Sequence, residues 1–279
     1  MLVPLAGGGQ ETLLSEVGFV LLPLFTTRNA CVLRLICREF LAAVTEQPWE
    51  DSETVIKGSI AAWRACFPRA RCANVAHRSM TGGEVRKAPV VDADFVHFEG
   101  LWELNMMRCA DVTDAAFVHL RGIQSLEMSI CTRLTDAALV HLAGIQRLSM
   151  FLCGGITDAG FVHLRGIQVL NIMHCRQLTD AAFVHLRGIK TLFMGYCSQP
   201  AITDAAFVHL RGIRTLVLDF CTQATITGST FSSLAGIEDL CMYTCSEEVT
   251  AAARALELPV PQDGLASLGG LRCAFFPWY

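Results

Sequence analysis

Leu178-Thr179-Asp180-Ala181-Ala182-Phe183-Val184-His185-Leu186-Arg187-Gly188-Ile189 decides the fold, because the chain writes it repeatedly. Close copies start at Val112, Leu134, Ile156 and Ile202, and weaker ones at Val90 and Ile226. Each copy runs into Ile-x-x-Leu-x-Met-x-x-Cys or a near variant, as in Ile123, Leu126, Met128 and Cys131. The closing cysteines are Cys109, Cys131, Cys153, Cys175, Cys197, Cys221 and Cys245, spaced by 22, 22, 22, 22, 24 and 24 residues. Self-similarity at a fixed period of this length outranks every other sequence signal.

One unit has two limbs. Leu126-x-Met128 alternates, which is strand periodicity with both side chains on one face. Thr113 to Gly122 reads as a short helix. Thr113 or Asp114 can cap its first amides, and an aspartate there suits the helix dipole. Phe117 and Leu120 lie three apart and share a face. Gly122 stops the helix, because a left-handed residue costs glycine nothing. Neither limb can bury its apolar face alone, and stacking the units buries both, so the chain is expected to form a solenoid.

The pattern L-x-x-L-x-L-x-x-(N/C), closing on Cys and followed by (Leu/Ile)-Thr-Asp, resembles the cysteine-containing subfamily of leucine-rich repeats over roughly residues 90–248. The resemblance implies an α/β solenoid, an arc with parallel strands on its concave face and short helices on its convex face. That subfamily runs a few residues longer per unit and carries an extra cysteine between helix and strand. Here Gly-Ile makes that connection directly.

Composition bounds the rest. The chain has 279 residues, 52% hydrophobic and 17% charged, with a net charge of −4. The longest apolar run, Val17 to Phe25, contains Pro23 and falls short of the roughly 20 residues that cross a bilayer, so no membrane partner is expected. The N-terminus lacks a basic region and holds Gly7-Gly8-Gly9, so no secretory signal is expected. The charge gives no reason to expect nucleic acid. Seven of the 13 cysteines fall on one repeat position and form a packing ladder. Disulfides are the alternative, but an odd total without a secretory signal argues for a reducing compartment, cytoplasm or nucleus. Cys66, Cys72 and His77, and Cys241 with Cys245, match no paired Cys-x-x-Cys site, so neither metal nor cofactor is expected. The periodic His97, His119, His141, His163, His185 and His209 read as framework carried along by copying. His174 and Cys175 are neighbours in an extended strand and point to opposite faces. No nucleophile–base set, phosphate loop or carboxylate pair stands out, so the chain reads as a non-enzyme.

Residues 1–11 read as a flexible start. Residues 12–50 carry no repeat. Val17, Val20, Leu21 and Leu24 share one helical face, Pro23 bends or ends that helix, and Leu33, Ile36, Cys37 and Phe40 resume helical spacing. With Arg28-Asn29 at a turn, Leu33, Leu35 and Ile36-Cys37-Arg38-Glu39-Phe40 as a core, and Trp49 at the end, this segment resembles an F-box. The family's opening Leu-Pro is missing or displaced, and Asn29 stands where Asp is usual. The resemblance implies that Val17, Val20, Leu21, Leu24, Ile36 and Phe40 dock the Skp-type adaptor of a cullin ubiquitin ligase. The residues alone also allow a helical cap on the first repeat, which a solenoid needs. Residues 51–89 read as a connecting and capping segment, with a helix over Ile56 to Phe67, a basic run (Arg64, Arg69, Arg71, Arg78, Arg86) and a surface loop at Arg78 to Gly83. Residues 90–248 hold seven repeats. Residues 249–279 read as a C-terminal cap: a helix over Ala251 to Leu256, a degenerate strand at Leu268-x-x-Leu271, then Phe275, Phe276, Trp278 and Tyr279 over the last tier.

Comparison of the copies locates the functional face. Phe-Val-His-Leu-Arg-Gly-Ile recurs almost verbatim, whereas strand positions facing away from the core vary. Seven strands about 4.8 Å apart give a concave surface roughly 30 Å long, enough for a protein partner. Its candidate target-binding residues are Met107, Arg108, Phe151, Leu152, Met173, His174, Phe193, Tyr196, Asp219, Phe220 and Tyr243. Phe151, Leu152, Met173, Phe193, Tyr196 and Phe220, in its middle, read as exposed apolar and aromatic groups, which mark binding sites. With the F-box resemblance, the expected function is that of a substrate receptor delivering an unnamed protein target to ubiquitin-dependent proteasomal degradation. The other reading is a leucine-rich-repeat scaffold with a helical N-cap and no ubiquitin role.

Overall fold

The computed structural model describes residues 26–33, 35, 38–77 and 88–260. Eight strands form one parallel sheet in sequence order: β1 (Cys72–Asn74), β2 (Glu103–Asn105), β3 (Ser125–Glu127), β4 (Arg147–Ser149), β5 (Val169–Asn171), β6 (Thr191–Phe193), β7 (Thr215–Val217) and β8 (Asp239–Cys241). The register stacks Leu104, Leu126, Leu148, Leu170, Leu192, Leu216 and Leu240 tier on tier. These leucines and Met106, Met128, Met150, Ile172, Met194 and Leu218 are fully buried in one continuous core. The fold is therefore the leucine-rich-repeat α/β arc expected from the alternation of Leu-x-Met. The strand β1 is an addition. It lies in the segment read as a connection, has no Leu-x-Met pattern, and pairs with β2 while Val55 bridges its other side at Asn74. That bridge covers a sheet edge that would otherwise be open.

The convex limb is tighter than an α-helix. Asp92–Phe98, Asp114–Leu120, Asp158–Leu164 and Asp204–His209 are 3-10 turns, and Asp136–Leu139 and Asp180–Phe183 are single α-turns that tighten to 3-10. Three residues per turn suits the Phe-x-x-Leu spacing, because side chains three apart eclipse and point to one core. Thr113, Thr135, Thr157, Thr179 and Thr203 cap these turns, each hydroxyl accepting from the backbone N–H two residues on. The aspartate after each cap reaches forward one tier. Asp114 accepts from the Thr135 N–H at 2.8 Å and hydroxyl at 2.6 Å. Asp92, Asp136, Asp158, Asp180 and Asp204 treat Thr113, Thr157, Thr179, Thr203 and Thr227 alike. Each turn ends on a glycine with positive φ, from +76° at Gly100 to +87° at Gly166.

The cysteine ladder is a set of thiols that donate backward. The Cys131 thiol lies 3.3 Å from the Met106 carbonyl oxygen, Cys153 3.2 Å from that of Met128, and Cys175 3.1 Å from that of Met150. Burial pushes Cys153 and Cys197 up to about 12, so these groups stay protonated and unreactive. In the two 24-residue units the extra length is held by glutamines. Gln199 donates to the Cys175 carbonyl and Gln223 to that of Cys197.

Three helices lie over the first tier: α1 (Thr27–Leu33), α2 (Arg38–Glu46) and α3 (Ile60–Cys66), the last capped by Ser59 and shorter than the helix expected from Ile56. The Trp49 indole donates to the Val44 carbonyl at 2.7 Å. Rings then run from Trp49 through Phe67, Trp63 and Phe98 to Phe95 and Phe117, at centroid spacings of 5.3–6.5 Å. The cap and the first repeats thus share one core. At the other end a helix spans Glu247–Ala255, beginning four residues before the stretch read from sequence, because Ser246 caps it. The Leu240 N–H donates to Pro259, which covers the edge of β8. The final strand and the aromatic cluster expected beyond residue 260 lie outside the described residues.

Candidate functional site on the inner face of the arc

The floor of the inner face is made by residues alternating with the core leucines. Four of the candidate residues need correction here. Met107, Met173, Phe193 and Asp219 face the concave side but are only 1–3% exposed. Parallel, in-register strands bring equivalent side chains to the inter-tier spacing of about 4.8 Å, so large neighbours cover one another. Val169, Met173, Phe193, Val217 and Cys241 form a second apolar cluster, with Phe151 and Tyr196 packed against it. Polar floor residues serve the backbone instead. Asn74, Asn105, Glu127 and Asn171 each accept from the N–H two residues ahead, at 2.7–3.1 Å. The buried Asp219 carboxylate accepts from the Tyr243 N–H at 2.8 Å.

These bonds shape a sharp strand exit. Arg108, Ile130, Leu152, His174, Tyr196, Phe220 and Thr244 all lie at φ between +56° and +63°. Their amides continue the ladder past the strands, as in Arg108 to the Ser129 carbonyl at 2.9 Å and Tyr196 to that of Asp219 at 2.8 Å. Non-glycine residues are uncommon there, and a β-branched one such as Ile130 or Thr244 is a true outlier. The turn throws these side chains out over the rim of the inner face.

Five successive tiers join their rings into a row. Phe151 meets His174 edge-on at 5.3 Å, His174 stacks on Tyr196 at 4.5 Å, Tyr196 stacks on Phe220 at 4.4 Å, and Phe220 meets Tyr243 edge-on at 5.3 Å. Both stacked pairs are within 13° of parallel, so these rings turn faces to one another and edges outward. Phe151, His174, Tyr196 and Phe220 are half-buried, and Leu152 and Tyr243 are 40% and 39% exposed. Burial, and secondarily the Arg176 charge, hold the His174 imidazole below its ordinary pKa.

The opposite end of the inner face is charged. Glu103, 8% exposed, receives Arg147 at 3.1 Å across the intervening tier of Ser125. Arg71 lies over the Trp102 ring at 5.4 Å and pairs with Glu50 at 3.0 Å. These groups border a cleft of about 470 Å³. A second, mainly apolar cleft of about 420 Å³ opens in the cap between Thr27, Cys31, Ile56 and Trp63. Of the adaptor-docking candidates, Val17, Val20, Leu21, Leu24 and Ile36 lie outside the described residues. Phe40 lies in α2, with its side chain outside them.

Among the described residues, no group of three or more His, Cys, Asp and Glu side chains is placed to hold a metal ion. No described helix is long and apolar enough to cross a membrane. Sequence reasoning named the members of the ring row one by one but missed their continuity. The sequence carried no signal for it, because the positive φ that brings these side chains to one rim falls on non-glycine residues.

No family model matches the chain, and its sequence matches no curated protein. Among solved structures it is similar to TLR13 in a TLR13–ssRNA13 complex, at TM-score 0.53 and 16% identity, over 71% of this chain and 32% of that one. It is also similar to a chain of the Toll–Spatzle complex of Drosophila, at TM-score 0.48 and 11% identity, over 78% and 36%. A chain of the Rad7–Elc1 complex of yeast aligns at TM-score 0.41 and 17% identity, over 50% and 42%. The chain therefore spans less than half the length of each. At these identities the likeness speaks for the fold alone.

Proposed function

We propose that this chain is a non-catalytic receptor that holds a target protein along the ring row of its inner face. One observation carries the reading: seven successive strand exits sit at positive φ without a single glycine, and three of them, His174, Tyr196 and Phe220, build a half-exposed aromatic row with Phe151 and Tyr243. Aromatic groups clustered at a rim are the usual anchors of protein interfaces. The F-box resemblance extends the proposal. Residues 12–50 would dock a Skp-type adaptor and through it a cullin scaffold, in cytoplasm or nucleus, so that the target is ubiquitinated and degraded. A second reading has its own support. Ala30, Val44 and Trp49 belong to the same continuous core as the repeats, as they would in a scaffold whose helices only cap the solenoid.

Affinity purification of the full chain tests both. The wild type is expected to bring down a target together with an adaptor and cullin. The triple variant Phe151→Ala, Tyr196→Ala, Phe220→Ala is expected to stay folded, keep the adaptor and lose the target. An unchanged partner list for the folded triple variant sinks the ring row as the site. A folded wild-type chain that never captures an adaptor leaves the scaffold reading standing.

A further inference from the structure

The edge of the arc where each helical turn hands over to its strand carries a sign of charge that the whole chain does not. A backbone ladder defines this edge: Gln146 N–H to Gln124, Gln168 to Gln146, Lys190 to Gln168 and Arg214 to Lys190, all 2.9–3.0 Å. Along it stand the exposed cations Arg121, Arg165, Arg187, Lys190, Arg211 and Arg214. Acidic groups close both ends, with Glu99 at His119 (2.7 Å) and Glu238 at Arg214 (3.7 Å).

The excess is not cancelled nearby. Between residues 121 and 214 the chain has nine Lys and Arg but only five Asp and Glu. Glu127 is fully buried on the inner face, and Asp136, Asp158, Asp180 and Asp204 are each bonded to the threonine of the next tier. The central tiers thus show cations to solvent while their carboxylates are engaged in the fold. We infer that this edge is a docking strip for an acidic segment of a partner protein. Charge complementarity argues for an anionic partner. Two observations favour protein over nucleic acid. The ring on this same ladder, Trp102, already holds the Arg71 guanidinium over its face at 5.4 Å, so that face is closed to a base. The net charge of −4 opposes a long polyanion while the basic strip ends at acidic groups on both sides. The strip does not depend on the ring row, which lies at the other end of the strands.

A fluorescein-labelled oligoglutamate peptide and the full chain test it by fluorescence anisotropy at low and high salt. The peptide is expected to bind at low salt and to be released as salt rises. Arg165→Glu with Arg187→Glu is expected to weaken binding about tenfold. Arg133→Glu with Arg176→Glu, the same charge change on the opposite edge, is expected to have little effect. Arg165→Gln with Arg187→Gln keeps the test valid should the reversal disturb folding, with a smaller loss expected. Failure of the folded wild type to bind, equal losses from the two reversed pairs, or tighter binding of a single-stranded oligonucleotide of matched charge would each overturn the inference.

Discussion

Each repeat passes through the left-handed backbone region at the same two places and treats these two passages oppositely. At the end of the helical turn the residue is Gly100, Gly122, Gly144, Gly166, Gly188, Gly212 or Gly236, glycine every time. At the strand exit it is Arg108, Ile130, Leu152, His174, Tyr196, Phe220 or Thr244, glycine never. The backbone demand is nearly the same, because φ is positive at both. The difference teaches that the first turn is shaped by conformation alone. At the second, side chains are kept against a backbone preference, and three of the seven, His174, Tyr196 and Phe220, belong to a row of aromatic groups over the inner face.

The spine that carries both turns sets the scale. Leu148 is fully buried in β4, and Leu148→Ala is expected to cost about 2–5 kcal/mol in chemical denaturation. Against that scale the glycine turn should show a pure backbone cost. A Cβ at Gly166 meets nothing within 4 Å. Gly166→Val is therefore expected to cost about 1–2 kcal/mol through φ alone. A melting temperature unchanged by that substitution would break the comparison. The strand exit should answer in the opposite direction. Thr244 is exposed, β-branched and at φ +56°. Thr244→Asn is expected to stabilise by about 0.5–1 kcal/mol, because asparagine tolerates this region. A loss in place of that gain would show that the exits are not strained.

The smallest effect concerns the ring row itself. His174 titrates below its ordinary value because burial, then Arg176, disfavours the imidazolium. A folded pKa below the unfolded value near 6.5 means that the fold favours the neutral ring. Its contribution is present above about pH 6.5 and is lost as pH falls through that value towards the folded pKa. His174→Phe keeps a ring in the row and should flatten the melting profile in that window. A profile equally steep in the variant would assign the dependence to other groups.

The arc was legible because its causes are periodic. Leu126-x-Met128 fixed the core face, Thr113-Asp114 the cap, and Cys131 the ladder. Alternation separates core side from inner side, but it cannot tell how closely inner-side neighbours will pack. Phe193 and Met173 therefore read as exposed when adjacent tiers cover them. The choice between α and 3-10 turns depends on eight residues fitting between a threonine and a glycine, as between Thr113 and Gly122, which propensity does not resolve. The strand exits were opaque for a sharper reason. Rules for positive φ look for glycine, and at Tyr196 and Phe220 the chain supplies rings. The segment with β1 was missed because Cys72-Ala73-Asn74 is recruited by its neighbour β2 and not by a pattern of its own.

The forward reach of each aspartate to the next threonine makes the arc splice-tolerant. Asp114 holds Thr135 as Asp136 holds Thr157, with the same two bonds at the same lengths. If residues 134–155 were excised, Asp114 would meet Thr157 in the place Thr135 now occupies, and Cys153 would leave a ladder that closes behind it. Every junction carries the same pair of complementary ends, so tiers are interchangeable parts. The number of tiers, and with it the length of rim available to a partner, is a quantity that unequal copying can change without inventing a new contact.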